Sequence, residues 1–247
     1  MQPTPALKFL KKISMLTLAD PKICQIPLID NGERLIPLDG LNARIIVDSS
    51  KENADALAYE LSFFIRETVG RKLVEAVLKI PDNYAFLVKE SLRPQNLQAL
   101  WFSEYLRSIL EANPELPEGD AVALAARFVA PPSVAGHPTG GAVDLTLCDL
   151  RGYELDLGCA YDQDEKASNG ACLSHFEQLS PEASKHRRIL FKALGSVGFV
   201  NYPFEWWHWS YGDRYWAAVT EHPHALYGAV ADCQQSRFAR SSDNNRP

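Results

Sequence analysis

Glu205 and His208 stand three residues apart in Phe204-Glu205-Trp206-Trp207-His208-Trp209-Ser210, a carboxylate and an imidazole among three tryptophans. Tryptophan brings large apolar area, so both polar groups fall in a poorly hydrated wall. An ionisable group there is costly unless it is paired or bound to a metal. The ordinary alternative is a half-buried strand whose polar residues face solvent. A second cluster lies upstream in Gly136-His137-Pro138-Thr139-Gly140-Gly141-Ala142-Val143-Asp144. Its glycine pair permits a tight backbone path that can bring a loop histidine and a strand aspartate onto one ion. His137, Asp144 and His208 as ligands would leave a fourth position open for water, the arrangement of a catalytic zinc site. Aspartate is a hard ligand and admits other divalent ions, so zinc is the leading choice among several. Glu205, close to a ligand and not one itself, then suits proton transfer from that water to a leaving amine. Taken singly, each residue also reads plainly: His137 as a loop cap, Asp144 as a strand start, His208 as a satisfied core histidine. The other histidines, His175, His186, His222 and His224, lack ligand spacing and read as surface residues.

The elements that must position these groups are mixed. Residues 44–47 form a short β-type run, and 48–53 are polar loop chemistry. Val69, Leu73, Ala76, Val77 and Ile80 fall at helical spacing, ended by Pro81. Residues 84–89 read as a strand and 90–94 as the turn after it. A second helix follows with Leu97, Leu100, Trp101 and Ile109 on its core face, and it ends by Pro114 and Pro117; a short helix is expected at 121–126. Residues 143–148 alternate as a strand, and 153–157 would return as its hairpin partner. Residues 162–172 are loop-like. A last helix after Pro181 has Ile189, Leu190, Ala193, Leu194 and Val197 inside. Strands and helices do not alternate strictly, which predicts an α+β fold rather than a doubly wound sheet.

With 247 residues the chain can bury a sizeable core, and its 46% hydrophobic content is that of a globular protein. The net charge of -6 argues against nucleic-acid binding, which needs a basic face. Five cysteines without a CxxC pair form neither a disulfide framework nor a thiolate zinc site, and they suit a reducing compartment. The apolar run at 13–19 after Lys8, Lys11 and Lys12 is short and broken by Ser and Thr, so no signal peptide and no membrane span are expected. The expected location is cytoplasmic. The expected organisation is an irregular lead-in over 1–24, one domain over 25–233 and a polar, disordered tail over 234–247.

The two clusters resemble the D-alanyl-D-alanine dipeptidases, zinc peptidases related to the D,D-carboxypeptidases and to the Hedgehog-type fold. That family carries a Ser-x-His-x-x-Gly-x-Ala-x-Asp motif and a later Glu-x-Trp-His string. The first is matched by Ala135-Gly136-His137-Pro138-Thr139-Gly140-Gly141-Ala142-Val143-Asp144 and the second by Glu205-Trp206-Trp207-His208. Arg93-Pro94 matches the family's Arg-Pro turn, and the motifs stand in the family's order between about Leu73 and Tyr215. The resemblance implies one domain with a central, mainly antiparallel sheet flanked by helices. It implies one Zn2+ per chain on His137, Asp144 and His208, Glu205 as general base, and Arg93 as the cation that stabilises the oxyanion of the tetrahedral intermediate. Asp162, in Leu157-Gly158-Cys159-Ala160-Tyr161-Asp162, resembles the family aspartate that binds the substrate's free amino group; it reads equally well as part of an acidic loop with Asp164 and Glu165. Glu90 precedes Arg93 where the family often has an acid, and would orient it.

The implied activity is hydrolysis of D-alanyl-D-alanine or a similar D,D-dipeptide, with a small dipeptide as partner and neither nucleic acid nor membrane. Two other readings stand beside it: a D,D-carboxypeptidase on peptidoglycan stem peptides, and a zinc-binding protein of the same fold without catalysis. Two departures bear on specificity. Ala135 replaces the motif serine, and Leu92 stands where an aromatic is usual.

Overall fold

The computed structural model describes residues 16–230. Residues 1–15 of the lead-in, Cys233 and the expected tail from 234 lie outside the described residues. Along the chain come α1 (Pro21–Cys24), β1 (Leu35–Pro37), β2 (Ile45–Val47), α2 (Lys51–Leu57), β3 (Phe64–Arg66), α3 (Glu67–Val77) and β4 (Tyr84–Glu90). They are followed by α4 (Gln95–Ala112), α5 (Glu118–Ala125), a 3-10 turn (His137–Thr139), β5 (Ala142–Asp149), α6 (Pro181–Gly195), β6 (Val200–Asn201), β7 (His208–Ser210) and α7 (Arg214–Val219). The five-stranded sheet has the order β2-β4-β5-β7-β6. Only the β2–β4 pair is parallel. The fold is therefore α+β with a mainly antiparallel sheet.

Alternation along β5 divides its two faces. Val143, Leu145 and Leu147 join Phe86 and Val88 of β4 in the main core, against Val69, Leu73 and Val77 of α3 and Leu190 and Leu194 of α6. Helix α6 starts where the sequence supplies a cap: the amide of Ala183 donates to Ser180 Oγ at 3.0 Å, and Pro181 opens the first turn. Asp144 lies on the opposite face of β5 from this core. Its cross-strand neighbours are Glu90 on β4 and His208 on β7, so three polar side chains form one row over the three central strands. A bulge makes the row possible. Pairing runs regularly from Tyr84↔Asp149 to Val88↔Leu145 and then skips Lys89, so that Glu90 meets Asp144. Asn53 closes the bulge by donating through Nδ2 to the carbonyls of Lys89 and Asp48, at 2.8 and 2.9 Å.

Several sequence expectations need correction. The lead-in is not irregular up to residue 24: Asp20 caps α1, and Leu18 and Ile23 are buried against Tyr202 and Tyr215. The polar stretch from Lys51 is helix α2, capped by Ser50. Residues 153–157 form no strand; one bridge joins Cys148 to Glu154. On α4 the buried residues are Gln98 and Ile109, while Leu100 is half exposed. His186 is buried, with Nδ1 against the carbonyl of Asp156 at 2.8 Å, because α6 turns that face onto the loop before it. No helix among the described residues is long and apolar enough to cross a membrane.

The turn that delivers His137 is tightly packed. Gly140 has φ +69°, which glycine adopts without strain. A Cβ added at Gly136 would lie 2.4 Å from Asp213 Oδ2 and 2.9 Å from Ala142 Cβ. Gly136→Ala should therefore destabilise the protein by about 1–3 kcal/mol, read as a lower urea midpoint at unchanged slope. An unchanged midpoint would show that the turn has room to spare.

Candidate active site and metal centre

The Glu205-Trp206-Trp207-His208 string is a tight turn that ends at His208, the first residue of β7. The amide of Glu205 donates to the carbonyl of Tyr202, and the amide of His208 donates back to the carbonyl of Glu205. Asn201 holds the turn from β6, its Nδ2 donating to the carbonyls of Glu205 and His208 at 3.0 and 2.9 Å. All four residues of the string are buried. Trp206 and Trp207 pack edge to face, and Tyr161 meets Trp207 in the same way. The turn leaves Glu205 Oε2 3.9 Å from His208 Nδ1.

His137, Asp144 and His208 converge, each offering one ligand atom, with the three atoms within 4.8 Å of one another. His137 Nε2 lies 3.2 Å from His208 Nδ1 and 3.3 Å from Asp144 Oδ1. His208 Nδ1 lies 2.9 Å from Asp144 Oδ1. The other nitrogen of His137, Nδ1, is 2.7 Å from the carbonyl oxygen of Ser91, which can only accept. Nδ1 therefore carries a proton, and Nε2 is the nitrogen turned toward Asp144 and His208. Asp144 Oδ2 accepts from Tyr161 at 3.3 Å. Three ligand-type atoms thus face one point. Ligand bonds of about 2.0–2.2 Å in tetrahedral array place ligand atoms roughly 3.3 Å apart, which these separations approach. The donor set and its spacing fit a zinc-type ion.

Electrostatics point the same way. Asp144, Asp162, Glu205 and Asp213 line one cavity with a single guanidinium, that of Arg93. Burial, then the charges of Asp144 and Asp162, push the Glu205 carboxyl well above its usual range. Desolvation pushes Asp162 up to about 7, with Glu90 and Asp144 adding to the shift, although this residue is open to solvent at the rim. Burial opposes charge on Asp144 too, but His137 and His208 outweigh it and hold the carboxyl low. Burial likewise works against a charged His137, and Asp144 and Glu90 outweigh it, raising its pKa. A cation at the convergence point relieves the surplus of negative charge.

Arg93 is fixed on three sides. Its Nε donates to Glu90 Oε1 at 2.7 Å and its Nη2 to Glu90 Oε2, a bidentate pair. Its Nη1 donates to Gln98 Oε1 at 2.7 Å, and the guanidinium lies 4.6 Å from the Trp101 ring. Glu90 is fully buried and also accepts from Tyr59 at 2.5 Å. Burial disfavours its charge, and Arg93 more than offsets this, so its pKa falls. Glu90 therefore contacts Arg93 as the sequence suggested.

The structure brings all six expected residues, His137, Asp144, His208, Glu205, Arg93 and Asp162, to this one cavity. Leu18, Phe128, Ala130 and Trp207 supply its apolar side, and Ala135 lies on its wall. Sequence reasoning missed Tyr59, Gln98, Tyr161, Asn201 and Asp213. Of these, Asp213 carried a readable signal, since Asp before a helix start is a cap and its Oδ1 accepts from the amide of Trp216 at 2.7 Å.

Comparison with known proteins bears on the whole arrangement. A D-alanyl-D-alanine dipeptidase of Synechocystis sp. is 26% identical over 242 residues, covering 83% of this chain and 95% of the relative. The Escherichia coli D-alanyl-D-alanine dipeptidase is 34% identical over 74 residues, 30% of this chain and 36% of its own. Among solved structures, a vancomycin-resistance D,D-pentapeptidase in complex with Zn(II) covers 92% of this chain and 99% of its own at 14% identity, with a TM-score of 0.44, too distant to bear on function. The family described as D-ala-D-ala dipeptidase matches residues 65–225, which span β4, β5, β7 and every one of the six converging residues. By that match the chain belongs to the D-ala-D-ala dipeptidase family of peptidases.

Proposed function

We propose that this chain hydrolyses the peptide bond of D-alanyl-D-alanine or a similar D,D-dipeptide, with one zinc-type ion held by His137, Asp144 and His208. The observation that carries this reading is the convergence of three ligand atoms beside a buried carboxylate and a clamped guanidinium in one cavity. When bound, the ion supplies a Lewis acid that polarises the scissile carbonyl and acidifies water. Glu205 is the proton carrier. Its raised affinity for a proton and its place 3.9 Å from His208 Nδ1 suit it to take a proton from the attacking water and give it to the leaving amine. Arg93 stabilises the negative charge that develops on the carbonyl oxygen. Because Glu90, Gln98 and Trp101 already hold it, little reorganisation is needed as that charge forms.

Asp162 at the rim accepts the substrate's free ammonium. This favours a dipeptide over a longer stem peptide, whose ammonium lies far from the scissile bond. The apolar side formed by Leu18, Phe128 and Ala130 suits short aliphatic residues. Ala135 offers no hydroxyl to the substrate, so this chain's preference among dipeptides follows its own wall. The cytoplasmic location expected from the cysteine pattern belongs to the same reading.

Zinc-loaded protein should cleave D-Ala-D-Ala faster than L-Ala-L-Ala and faster than the terminal bond of a stem pentapeptide. Cleavage of neither dipeptide would sink the assignment, and preference for the pentapeptide would turn it to a carboxypeptidase. Glu205→Ala should retain zinc by elemental analysis and lose about 10²–10⁴-fold in kcat; undiminished turnover would remove Glu205 from the mechanism. Arg93→Ala should cost about 10²–10³-fold, mainly in kcat. A loss confined to KM would make it a ground-state binding residue instead.

A further inference from the structure

Arg187, in the middle of α6, is a buried cation without a carboxylate hydrogen bond among the described residues. Asp156, the acid whose charge it feels, accepts instead from the amide of Gly158 at 2.8 Å and from Ser180 Oγ at 3.1 Å. Burial pulls the Arg187 guanidinium down to about 10. A buried charge is costly unless its hydrogen bonds are well satisfied. Here they all go to backbone. Nε donates to the carbonyl of Leu157 at 2.7 Å, Nη1 to that of Leu173 at 2.8 Å, and Nη2 to that of Ala171.

Those three carbonyls belong to the two ends of one loop. Leu157 lies on the arm that enters it, and Ala171 and Leu173 lie on the arm that leaves. Only the fork of a guanidinium reaches all three. Trp206 completes the closure, donating through Nε1 to Cys159 Sγ at 3.3 Å and through its amide to the carbonyl of Cys172 at 3.0 Å. Its ring lies 5.5 Å from the Arg187 guanidinium. Gly158 keeps the base open to this contact: its φ is +103°, and a Cβ there would lie 2.3 Å from Leu179 Cδ2. The result is a compact loop with joined ends, and it carries Asp162.

Asp162 needs such a foundation. Its φ is +63°, a left-handed conformation that costs a non-glycine residue energy and persists only where the surroundings enforce it. No hydrogen bond among the described residues holds its carboxylate. The neighbouring Tyr161 is held by Asp144 and Trp207, and the carboxylate of Asp162 itself takes its place from the course of the loop, which its joined ends fix.

We propose that Arg187 is the positioning residue of this loop: by tying its two ends it holds Asp162 at the cavity rim and so governs the binding of the substrate's ammonium. This rests on the role proposed for Asp162. The test pairs two readouts in the zinc-loaded enzyme. Limited trypsin digestion reports cleavage after Lys166, which is exposed within the loop. Arg187→Met should accelerate that cut by about fivefold or more relative to cuts elsewhere in the chain. The same variant should raise KM for D-Ala-D-Ala about tenfold and leave kcat within about twofold. Against an Asp162→Asn background the additional rise in KM should vanish. Arg187→Lys keeps the charge but cannot span three carbonyls, and it should give the same pattern if the methionine variant fails to fold. Cleavage after Lys166 at the wild-type rate in these variants would overturn the clamp. An equal rise in KM with and without Asp162 would overturn the link to ammonium binding. If Asp162→Asn alone leaves KM unchanged, the role given to Asp162 falls and that link with it, while the digestion still decides whether Arg187 ties the loop.

Discussion

The site depends on the close approach of three ligand-type atoms. Asp144 Oδ1, His137 Nε2 and His208 Nδ1 stand about a hydrogen bond apart, with Nδ1 of His137 donating to the Ser91 carbonyl on the outer side. Burial works against charge on that cluster, and Asp144 and Glu90 outweigh it at His137. The donor set suits a cation there. What holds the groups together is the sheet: strand register sets the Asp144–His208 pair, and the 3-10 turn against Asp213 sets His137.

Around that point the charges differ in how many side-chain hydrogen bonds hold them. Glu90 and Arg93 form a sealed pair, with Tyr59 and Gln98 taking up remaining hydrogen-bonding capacity. Glu205 is buried and bonded through its backbone, which suits the proton transfer proposed for its carboxylate. Asp162 is open to solvent on a loop whose ends are tied by Arg187. The series runs from a clamped cation, through a buried carboxyl, to a solvent-exposed acid at the rim, and it follows from which side-chain hydrogen bonds are already taken.

The parts of this design legible in the sequence were those in which residue type and spacing both constrain chemistry. The glycine pair after His137 and the Glu-x-x-His spacing each limit the backbone, and His137, Asp144, Glu205 and His208 were found from them. Arg93, Glu90 and Asp162 needed the family resemblance, because an arginine or an acid in a turn is ordinary by itself. The tryptophans of the Glu205 string leave its local structure open. Aromatic density suggests a strand, yet the amide of His208 bonds the carbonyl of Glu205, and Asn201 enforces a turn from another strand. Gln98 and Tyr59 were invisible for related reasons: Tyr59 meets Glu90 from far off in sequence, and nothing in the local pattern marks the buried amide of Gln98, five residues from Arg93, from an exposed one. His186 fails in the opposite sense, since a polar neighbourhood in sequence need not be an exposed one: its ring is buried against the carbonyl of Asp156 and the hydroxyl of Tyr84.

The bulge in β4 has a consequence for charge. In the regular register of that strand, Lys89 would stand directly opposite Asp144. Its ammonium would then be a tethered cation beside the convergence point. The extra residue hands the place to Glu90 and leaves the Lys89 ammonium with Asp48 and Glu154, at 2.6 and 2.8 Å. A one-residue irregularity thus acts as a gatekeeper, keeping the chain's own ammonium away from the three converging ligand atoms.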